Sequence, residues 1–275
     1  MKKFVAKAVG CALAAVSVFS LAACNNGGDT SGSEVATKTI TVGYTDYAPM
    51  NYEDENGELV GFDTELAKEM FTELGYEVRF KLIDWANKYN ELNAGTIDCV
   101  WNGFTANCAD DDGVQRADKV DFTYYYMTNA QCILRLDSTA DVDDKADFAG
   151  SAVAYEDGSA AEGFVADVEG ANLKAVTSQM DAVREVKAGT AQYAVVDLLL
   201  AKSVAGKGDF ASLTINTGIE IEAEYYAIGF KKGSDLTAQI NAKLVEYAAN
   251  GKLATLAEKY GLSNQVITDY ADQAK

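Results

Sequence analysis

Carboxylates are the most numerous ionisable side chains of this 275-residue chain, which has 42 aspartates and glutamates. The sequence contains no histidine. That absence excludes Ser-His-Asp and Cys-His nucleophiles and the usual zinc sites. Carboxylates or lysines could still act as acids and bases, so an enzyme is disfavoured but not excluded. We also expect no side chain at a binding site to titrate between about pH 5 and 8 unless its pKa is strongly shifted.

Two acidic loops, residues 53–57 and 110–113, are the remaining candidates for a metal site. Counted back from its glycine, the first-ligand position of an EF-hand loop is Tyr52 in one loop and Cys108 in the other, and neither supplies a carboxylate. We therefore interpret both loops as solvated turns and predict neither a metal nor a cofactor.

Cysteine is the other reactive residue type in the chain. Cys99 and Cys132 lie in apolar, strand-like runs, which favours buried thiols. A disulfide between Cys99 and Cys108 is left open, because the sequence does not show its geometry. Cys11 lies in an N-terminal apolar run that ends just before Cys24.

Residues 1–23 have the parts of a secretory signal peptide: Lys2 and Lys3, an apolar run too short to span a bilayer, and small residues before Cys24. Leu21-Ala-Ala-Cys24 resembles the lipobox of bacterial lipoproteins, which implies a lipid on the Cys24 thiol. An ordinary signal peptide with an incidental cysteine is the alternative. Residues 24–37 are predicted to be a flexible tether, so the protein would be exported and held on the outer face of a membrane.

The composition of the whole chain is that of a well-cored, acidic globule. The formal net charge is −19 and hydrophobic residues make up 48% of the chain. So acidic a protein is not expected to bind nucleic acid. No later segment is long enough to span a membrane.

Strand-like and helix-like segments alternate from residue 39 onward, which predicts an α/β fold with helical crossovers. Strands are predicted over residues 39–43, 76–83, 97–101 and 193–196. Helices are predicted over residues 63–74, 88–94 and 178–188, with Asp63 and Ser178 as N-caps and with Gly75, Gly95 and Gly189 after their last turns.

An Ala-Gly-Thr sequence occurs twice, beginning at Ala94 and Ala188, and a short apolar strand follows each copy. These strands end at Asn102 and Asp197. Because open α/β sheets bind ligands at the carboxyl ends of their strands, the repeat suggests two similar lobes whose polar residues face one cleft.

Several motifs, taken in order, resemble those of the extracellular amino-acid-binding proteins of ABC importers. The motifs are Tyr47-Ala-Pro49, Gly57-Glu-Leu-Val-Gly-Phe-Asp63, Gly95-Thr-Ile-Asp98, Trp101-Asn-Gly-Phe-Thr105, Val120-Asp-Phe-Thr123 and Tyr226-Ala-Ile-Gly-Phe-Lys-Lys232. The resemblance covers residues 37–262 and implies the type II periplasmic-binding fold. In that fold two α/β lobes are joined by two hinge crossings, here expected near residues 127–131 and 226–229. Lobe 1 would comprise residues 38–127 plus 228–275, and lobe 2 residues 128–227.

The resemblance also implies how a zwitterionic ligand would be held. Arg116 would clamp the α-carboxylate through its planar fork, and Asp197 would pair with the α-ammonium. The chain departs from the family in having a longer segment between Gly103 and Arg116. The alternative for Arg116 is therefore a surface loop in which it neutralises residues 110–112, and the alternative for Asp197 is an N-cap of the helix that follows.

Further carboxylate contacts would come from Gly103 and Thr105 of lobe 1 and from Ser159 and the Ala160 amide of lobe 2. The other members of the predicted binding set are Asp46, Tyr47, Trp85 and Asn102. Tyr47 and Trp85 would sandwich the ligand side chain, with a place in the core as the alternative for Trp85.

The family implies a monomeric receptor, not an enzyme, that captures an amino acid outside the cell and delivers it to an ABC permease. One lobe would bind the ligand first and the other would close over it. Two alternatives are an enzyme like the cyclohexadienyl dehydratases, which share the fold, and a sensory protein that presents its ligand to a membrane partner. The sequence does not identify the amino acid.

Overall fold

Two separate sheets organise residues 38–219 and 221–273, the part of the chain that this computed structural model describes. The predicted signal peptide, Cys24 and the tether lie outside these residues. None of the helices within them has the length and apolar character needed to cross a membrane.

The strands, in chain order, are β1 Lys38–Tyr44, β2 Tyr52–Glu53, β3 Leu59–Val60, β4 Tyr76–Leu82, β5 Cys99–Val100, β6 Asp121–Phe122, β7 Met127–Leu136, β8 Ala152–Glu156, β9 Asn172–Val176, β10 Tyr193–Asp197, β11 Leu213–Ile215, β12 Ala223–Tyr226 and β13 Gly229–Phe230. The α-helices are α1 Phe62–Glu73, α2 Lys88–Ala94, α3 Arg116–Lys119, α4 Ala160–Val165, α5 Gln179–Lys187, α6 Leu198–Val204, α7 Leu236–Ala249 and α8 Lys252–Lys259. Short 3-10 turns occupy Trp85–Asn87, Lys145–Phe148 and Gly208–Phe210.

Each sheet belongs to one lobe of a two-lobed α/β fold. The first sheet has the order β4-β1-β5-β13-β6, and β1 runs parallel to both β4 and β5. The second has the order β11-β7-β10-β8-β9, in which β8, β9 and β10 are parallel and β7 is antiparallel to β10. Helical crossovers between parallel strands therefore occur in both lobes, as the alternating pattern predicts.

The lobes are joined where β7 and β12 run side by side. Met127 lies opposite Tyr226, and Ala130 lies opposite Ala223, in an antiparallel ladder. Strand β7 then continues into the second sheet, where it pairs with β10 and β11. The two chain segments that pass between the lobes are thus hydrogen-bonded to each other.

Local helix signals account for two of the helices well. Helix α2 ends at Gly95, which has φ 70° and therefore the left-handed conformation that glycine adopts without strain. The Oγ of Ser178 accepts a hydrogen bond of 3.1 Å from the Asp181 amide and caps α5.

The prediction of Asp63 as an N-cap is wrong. Helix α1 begins at Phe62 after Gly61, and Asp63 lies inside its first turn, fully buried. Its carboxylate accepts hydrogen bonds of 2.8 Å from the Gly103 amide and from the Tyr126 hydroxyl. These contacts across the lobe replace the local cap, and burial raises the pKa of Asp63 to about 7.

Cys99 and Cys132 are buried free thiols, as their apolar surroundings predict. Cys108 is also a free thiol, so the disulfide that the sequence leaves open is not formed. The loop at residues 53–57 is a solvated turn, in which the Asp54 carboxylate accepts hydrogen bonds from the backbone amides of Asn56 and Glu58.

Candidate functional site

A buried cavity lies between the lobes, beside the carboxyl ends of β8 and β10. Its lining includes every predicted site residue except Asp46 and Tyr47. The lining residues are Trp85, Asn102, Gly103, Thr105 and Arg116 from one side and Glu156, Ser159, Ala160, Gln179 and Asp197 from the other. Its volume is about 10 Å³, because the polar side chains of the two walls nearly fill it.

A larger groove of about 780 Å³ runs along α1 and α8, but its charges are already paired at the surface. Lys252 and Lys243 both contact Glu73, and Lys259 contacts Glu65, at distances of 2.7–2.8 Å. The buried cavity is therefore the better candidate, since it combines desolvation with opposite charges from two lobes.

Arg116 lies in the wall of the cavity with 1% of its surface exposed, so it is not on a surface loop, although it does pair with Asp110 as that alternative expects. Its Nε donates a 2.7 Å hydrogen bond to Asp110. Nη1 and Nη2 each donate a 3.1 Å bond, to the carbonyl oxygens of Thr105 and Gly158. The guanidinium therefore reaches from lobe 1 to the backbone of lobe 2.

In the loop at residues 110–113, Asp111, Asp112 and Gly113 are exposed in a turn, as predicted, but Asp110 turns inward. Its side chain is 6% exposed and contacts Arg116, Lys119 and the Tyr89 hydroxyl. Burial acts to raise the pKa of Asp110. The charge of Arg116 and the hydrogen bonds outweigh burial and lower this pKa to about 2. The additional residues before Arg116 thus supply the carboxylate that orients the guanidinium.

Asp197 ends strand β10 and occupies the N-cap position of α6, yet its side chain makes no cap hydrogen bond. The carboxylate instead accepts hydrogen bonds from the amides of Asn129, Gln131 and Gln179, the last at 2.6 Å. Burial raises the pKa of Asp197, while these amides act in the opposite direction. The carboxylate thus faces the cavity rather than the helix end.

Glu224 is a site carboxylate that the sequence analysis missed. It comes from the crossing strand β12 and accepts hydrogen bonds from Thr105, Asn129 and Gln131. Burial and the neighbouring Asp197 raise the pKa of Glu224 to about 7. Glu224 is therefore the strongly shifted group that the expectation about neutral pH excepted, because two carboxyl groups share a dry environment.

Glu156 is a second missed carboxylate, at the end of β8 in the wall opposite Trp85. It is 2% exposed, and one of its oxygens has no hydrogen-bond partner among the described residues. Burial, followed by the charge of Asp197, raises the pKa of Glu156 well above its ordinary value. Its position at a strand end, like that of Asp197, is the only signal that the sequence offers for it.

Lys88 completes the charged surroundings, although nothing in the sequence marks it. Its Nζ is 2.9 Å from the Gly158 carbonyl oxygen and lies over the rings of Trp85 and Tyr89. Burial, reinforced by Arg116, lowers the pKa of Lys88 to about 7. A Cβ at Gly158 would lie 3.1 Å from the Cα of Ala86, and φ there is +69°, so the close approach of the lobes requires glycine.

The other groups that were predicted to donate hydrogen bonds to the ligand carboxylate differ in whether they already have a partner. The Gly103 amide already donates to Asp63, and the Thr105 hydroxyl donates to Glu224. The Ser159 Oγ, next to the Ala160 amide at the start of α4, is buried without a hydrogen-bond partner in the described part of the chain. Lobe 2 therefore offers the more available hydroxyl.

Asp46 and Tyr47 are not brought to the cavity wall. Asp46 is exposed, whereas Tyr47 is buried behind Gly103 with its hydroxyl 2.6 Å from that of Tyr226. Trp85 is 4% exposed and packs edge-on against Phe104, as the core alternative expects, and it also lines the cavity.

Asn102 lines the cavity, but its side-chain amide donates hydrogen bonds within lobe 1, to the Thr45 carbonyl oxygen and to the Asn51 side chain. No grouping of acidic or cysteine residues suited to a metal ion occurs within residues 38–219 and 221–273. The cavity walls carry charged groups of opposite sign, Arg116 and Asp197, which could contact a charged molecule.

Comparison with known proteins gives a consistent picture. A sequence profile of the bacterial extracellular solute-binding proteins, family 3, matches residues 40–263. The arginine-binding extracellular protein ArtP of Bacillus subtilis is 29% identical over 253 residues, which cover 90% of this chain and 95% of ArtP. The L-cystine-binding protein TcyA of the same organism is 26% identical, over 89% of this chain and 93% of TcyA.

Solved structures extend the likeness to three dimensions. An ancestral arginine-binding protein bound to arginine is similar with a TM-score of 0.73 and 30% identity, over 81% of this chain and 97% of the other. The ancestral amino acid-binding protein AncCDT-1, a precursor of cyclohexadienyl dehydratase, is similar with a TM-score of 0.71 and 27% identity, over 81% of this chain and 95% of the other.

Proposed function

Because the chain belongs to the bacterial extracellular solute-binding proteins, family 3, we propose that it is a receptor for a free amino acid. It would capture the amino acid between its lobes and deliver it to an ABC permease. The observation that carries this proposal is one buried cavity lined by both Arg116 and Asp197. A cation and an anion that line the same dry cavity are complementary to a zwitterion.

The roles follow from the chemistry of the two groups. Arg116 binds the α-carboxylate through its fork, assisted by Ser159, whose buried hydroxyl has no partner among the described residues. Asp197 accepts hydrogen bonds from the α-ammonium. Both groups are held by neighbours, Asp110 for Arg116 and Gln179 for Asp197, so little ordering is needed on binding.

Ligand access requires the lobes to separate. The cavity holds about 10 Å³, which suits one water-sized sphere and not an amino acid. Opening breaks the contacts of Lys88 and Arg116 with the Gly158 carbonyl and thereby frees Nη2 of Arg116. The β7 and β12 crossings would act as the hinge, with lobe 1 as residues 38–127 plus 228–275 and lobe 2 as residues 128–227.

The receptor is further proposed to be a monomer anchored outside the cell by lipid on Cys24, with residues 24–37 as the tether. The alternative of a dehydratase has less support. The related ancestral structure is itself described as an amino acid-binding protein, and this chain contains no histidine to serve as a neutral-pH base.

A thermal-shift screen of the common amino acids and cystine tests the function. A ligand at about 100 times its Kd adds about 2.7 kcal/mol to the free energy of unfolding. For a chain of this size that raises Tm by several degrees, at roughly 2–4 °C per kcal/mol. If no amino acid raises Tm, the receptor function fails; turnover of a cyclic carboxylic acid would favour the enzyme.

A further inference from the structure

We propose that Glu156 selects an amino acid whose side chain carries a positive charge. This inference rests on the proposed receptor function and concerns the ligand class of the same cavity. It starts from a carboxylate that the binding of a simple zwitterion does not use. Arg116 and Asp197 suffice for the α-carboxylate and the α-ammonium, which leaves Glu156 without an assigned partner.

The geometry of Glu156 indicates a ligand contact. The residue is 2% exposed, lines the cavity, and has one carboxylate oxygen with no hydrogen-bond partner among residues 38–219 and 221–273. A buried carboxylate oxygen without a hydrogen-bond partner is costly, because that atom gives up hydration, although the Gln179 backbone amide and the charges of Lys88 and Arg116 partly stabilise the rest of the group. A donor supplied by the ligand would remove that cost.

The balance of charge around the cavity favours a cationic donor over a neutral one. Two buried carboxylates, those of Glu156 and Asp197, line the cavity from the ends of two strands, and Glu224 is a third buried carboxylate beside Asp197. The charge of Asp197 acts to raise the pKa of both Glu156 and Glu224. The nearby cations are Arg116 and Lys88. Arg116 is already paired with Asp110 at 2.7 Å.

Lys88 does not neutralise Glu156 directly. Its Nζ donates to the carbonyl oxygens of Gly158 at 2.9 Å and Trp85 at 3.4 Å. No ion pair joins Lys88 to Glu156 in the described part of the chain. The cavity therefore keeps an excess of carboxylates, and a ligand with a second positive charge restores the balance that buried charges require.

Paired isosteres test this proposal. L-Arginine and L-citrulline have the same shape, but a neutral urea replaces the guanidinium in citrulline. L-Lysine and L-2-aminoheptanoic acid, in which a methyl group replaces the ammonium, form a second pair. We expect the wild type to bind the cationic member at least about tenfold tighter, the scale of one hydrogen bond to a charged group. Glu156→Gln should reduce this ratio by about tenfold while changing the citrulline Kd by less than about threefold.

Glu169→Gln is the matched control, because it removes one negative charge from an exposed position of the same lobe. Its arginine-to-citrulline ratio should equal that of the wild type. A preference of the wild type for the neutral members would overturn the proposal and leave the receptor function intact, as would an unchanged ratio in Glu156→Gln. Binding of no amino acid at all would instead refute the receptor function. Should Glu156→Gln fail to fold, the wild-type ratio and that of Glu156→Asp decide.

Discussion

The Lys88 ammonium lies 2.9 Å from the carbonyl oxygen of Gly158, a residue 70 positions later in the chain. Lys88 begins helix α2 of the first lobe, and Gly158 precedes helix α4 of the second. The contact therefore joins the lobes across the entrance to the cavity, and Arg116 joins the same oxygen from the same side at 3.1 Å. Since the Arg116 guanidinium stays charged, the closed arrangement is sensitive to the protonation of Lys88.

Lys88→Met is expected to change how stability depends on pH. The pKa of Lys88 is lowered from 10.5 to about 7 by burial, so between these values the unfolded chain binds more protons than the folded protein. Stability of the wild type should accordingly rise with pH across this range, by up to about 1.4 kcal/mol per pH unit relative to Lys88→Met. Urea denaturation of both proteins at several pH values measures the difference.

The exposed Lys38 provides the control for this experiment. Lys38→Met should keep the pH slope of the wild type, since it leaves Lys88 and its buried surroundings unchanged. Parallel curves for the wild type and Lys88→Met would mean that Lys88 is hydrated in solution and does not seal the cleft.

Arg116→Lys should weaken amino-acid binding strongly although the charge is kept. An ammonium cannot hold Asp110, a backbone carbonyl and a ligand carboxylate with the geometry of a planar fork. The expected loss is about 2–5 kcal/mol of binding free energy, measured by titration calorimetry. Arg79→Lys, at an exposed residue paired with Glu77, should leave the affinity unchanged. A loss of less than tenfold would place the carboxylate elsewhere.

Affinity should rise with pH across the neutral range. Burial and Asp197 raise the pKa of Glu224 to about 7, so below that pH the pair of carboxyl groups retains a proton. An incoming ammonium favours the ionised pair, and at low pH the proton must be expelled before binding. Glu224→Gln removes the neighbouring charge and should make the pH dependence of the affinity shallower than that of the wild type. A flat wild-type profile in calorimetry would contradict this coupling.

Cys24→Ser should release the protein from membranes without altering its affinity for ligand. A lipidated cysteine holds the chain through acyl chains, whereas a serine cannot be modified in that way. Fractionation and immunoblotting of cells that produce each form would measure this. Wild-type protein that remains in the soluble fraction with an unmodified thiol would refute the anchor.

The sequence predicts the parts of the structure that depend on neighbours in the chain. Helix α2 and its stop at Gly95 are correct, because a left-handed glycine ends a helix wherever the helix is placed. Asp197 reaches the cavity because the end of a parallel strand is where such a fold opens. These features follow from local conformation and from strand direction.

The features that the sequence did not predict depend on contacts between distant segments. The local sequence predicts Asp63 as a helix cap, but its carboxylate instead accepts hydrogen bonds from Gly103 and Tyr126, which are distant in the chain. The local sequence predicts a solvated Asp110, whereas in the structure the loop places its carboxylate against Arg116. Glu156 and Glu224 become site residues only when two lobes and a crossing strand converge, and no local pattern encodes that convergence.

The most direct test of the account is calorimetric titration of the wild type and Asp197→Asn with the best amino acid from the screen and with its analogue that lacks the α-amino group. Asp197 is buried in the cavity wall, and Asn keeps its shape without its charge. We predict that the substitution weakens binding of the amino acid by about 2–5 kcal/mol and weakens binding of the analogue far less. Equal losses for both ligands, or an unaffected variant, would contradict an amino acid held between Arg116 and Asp197.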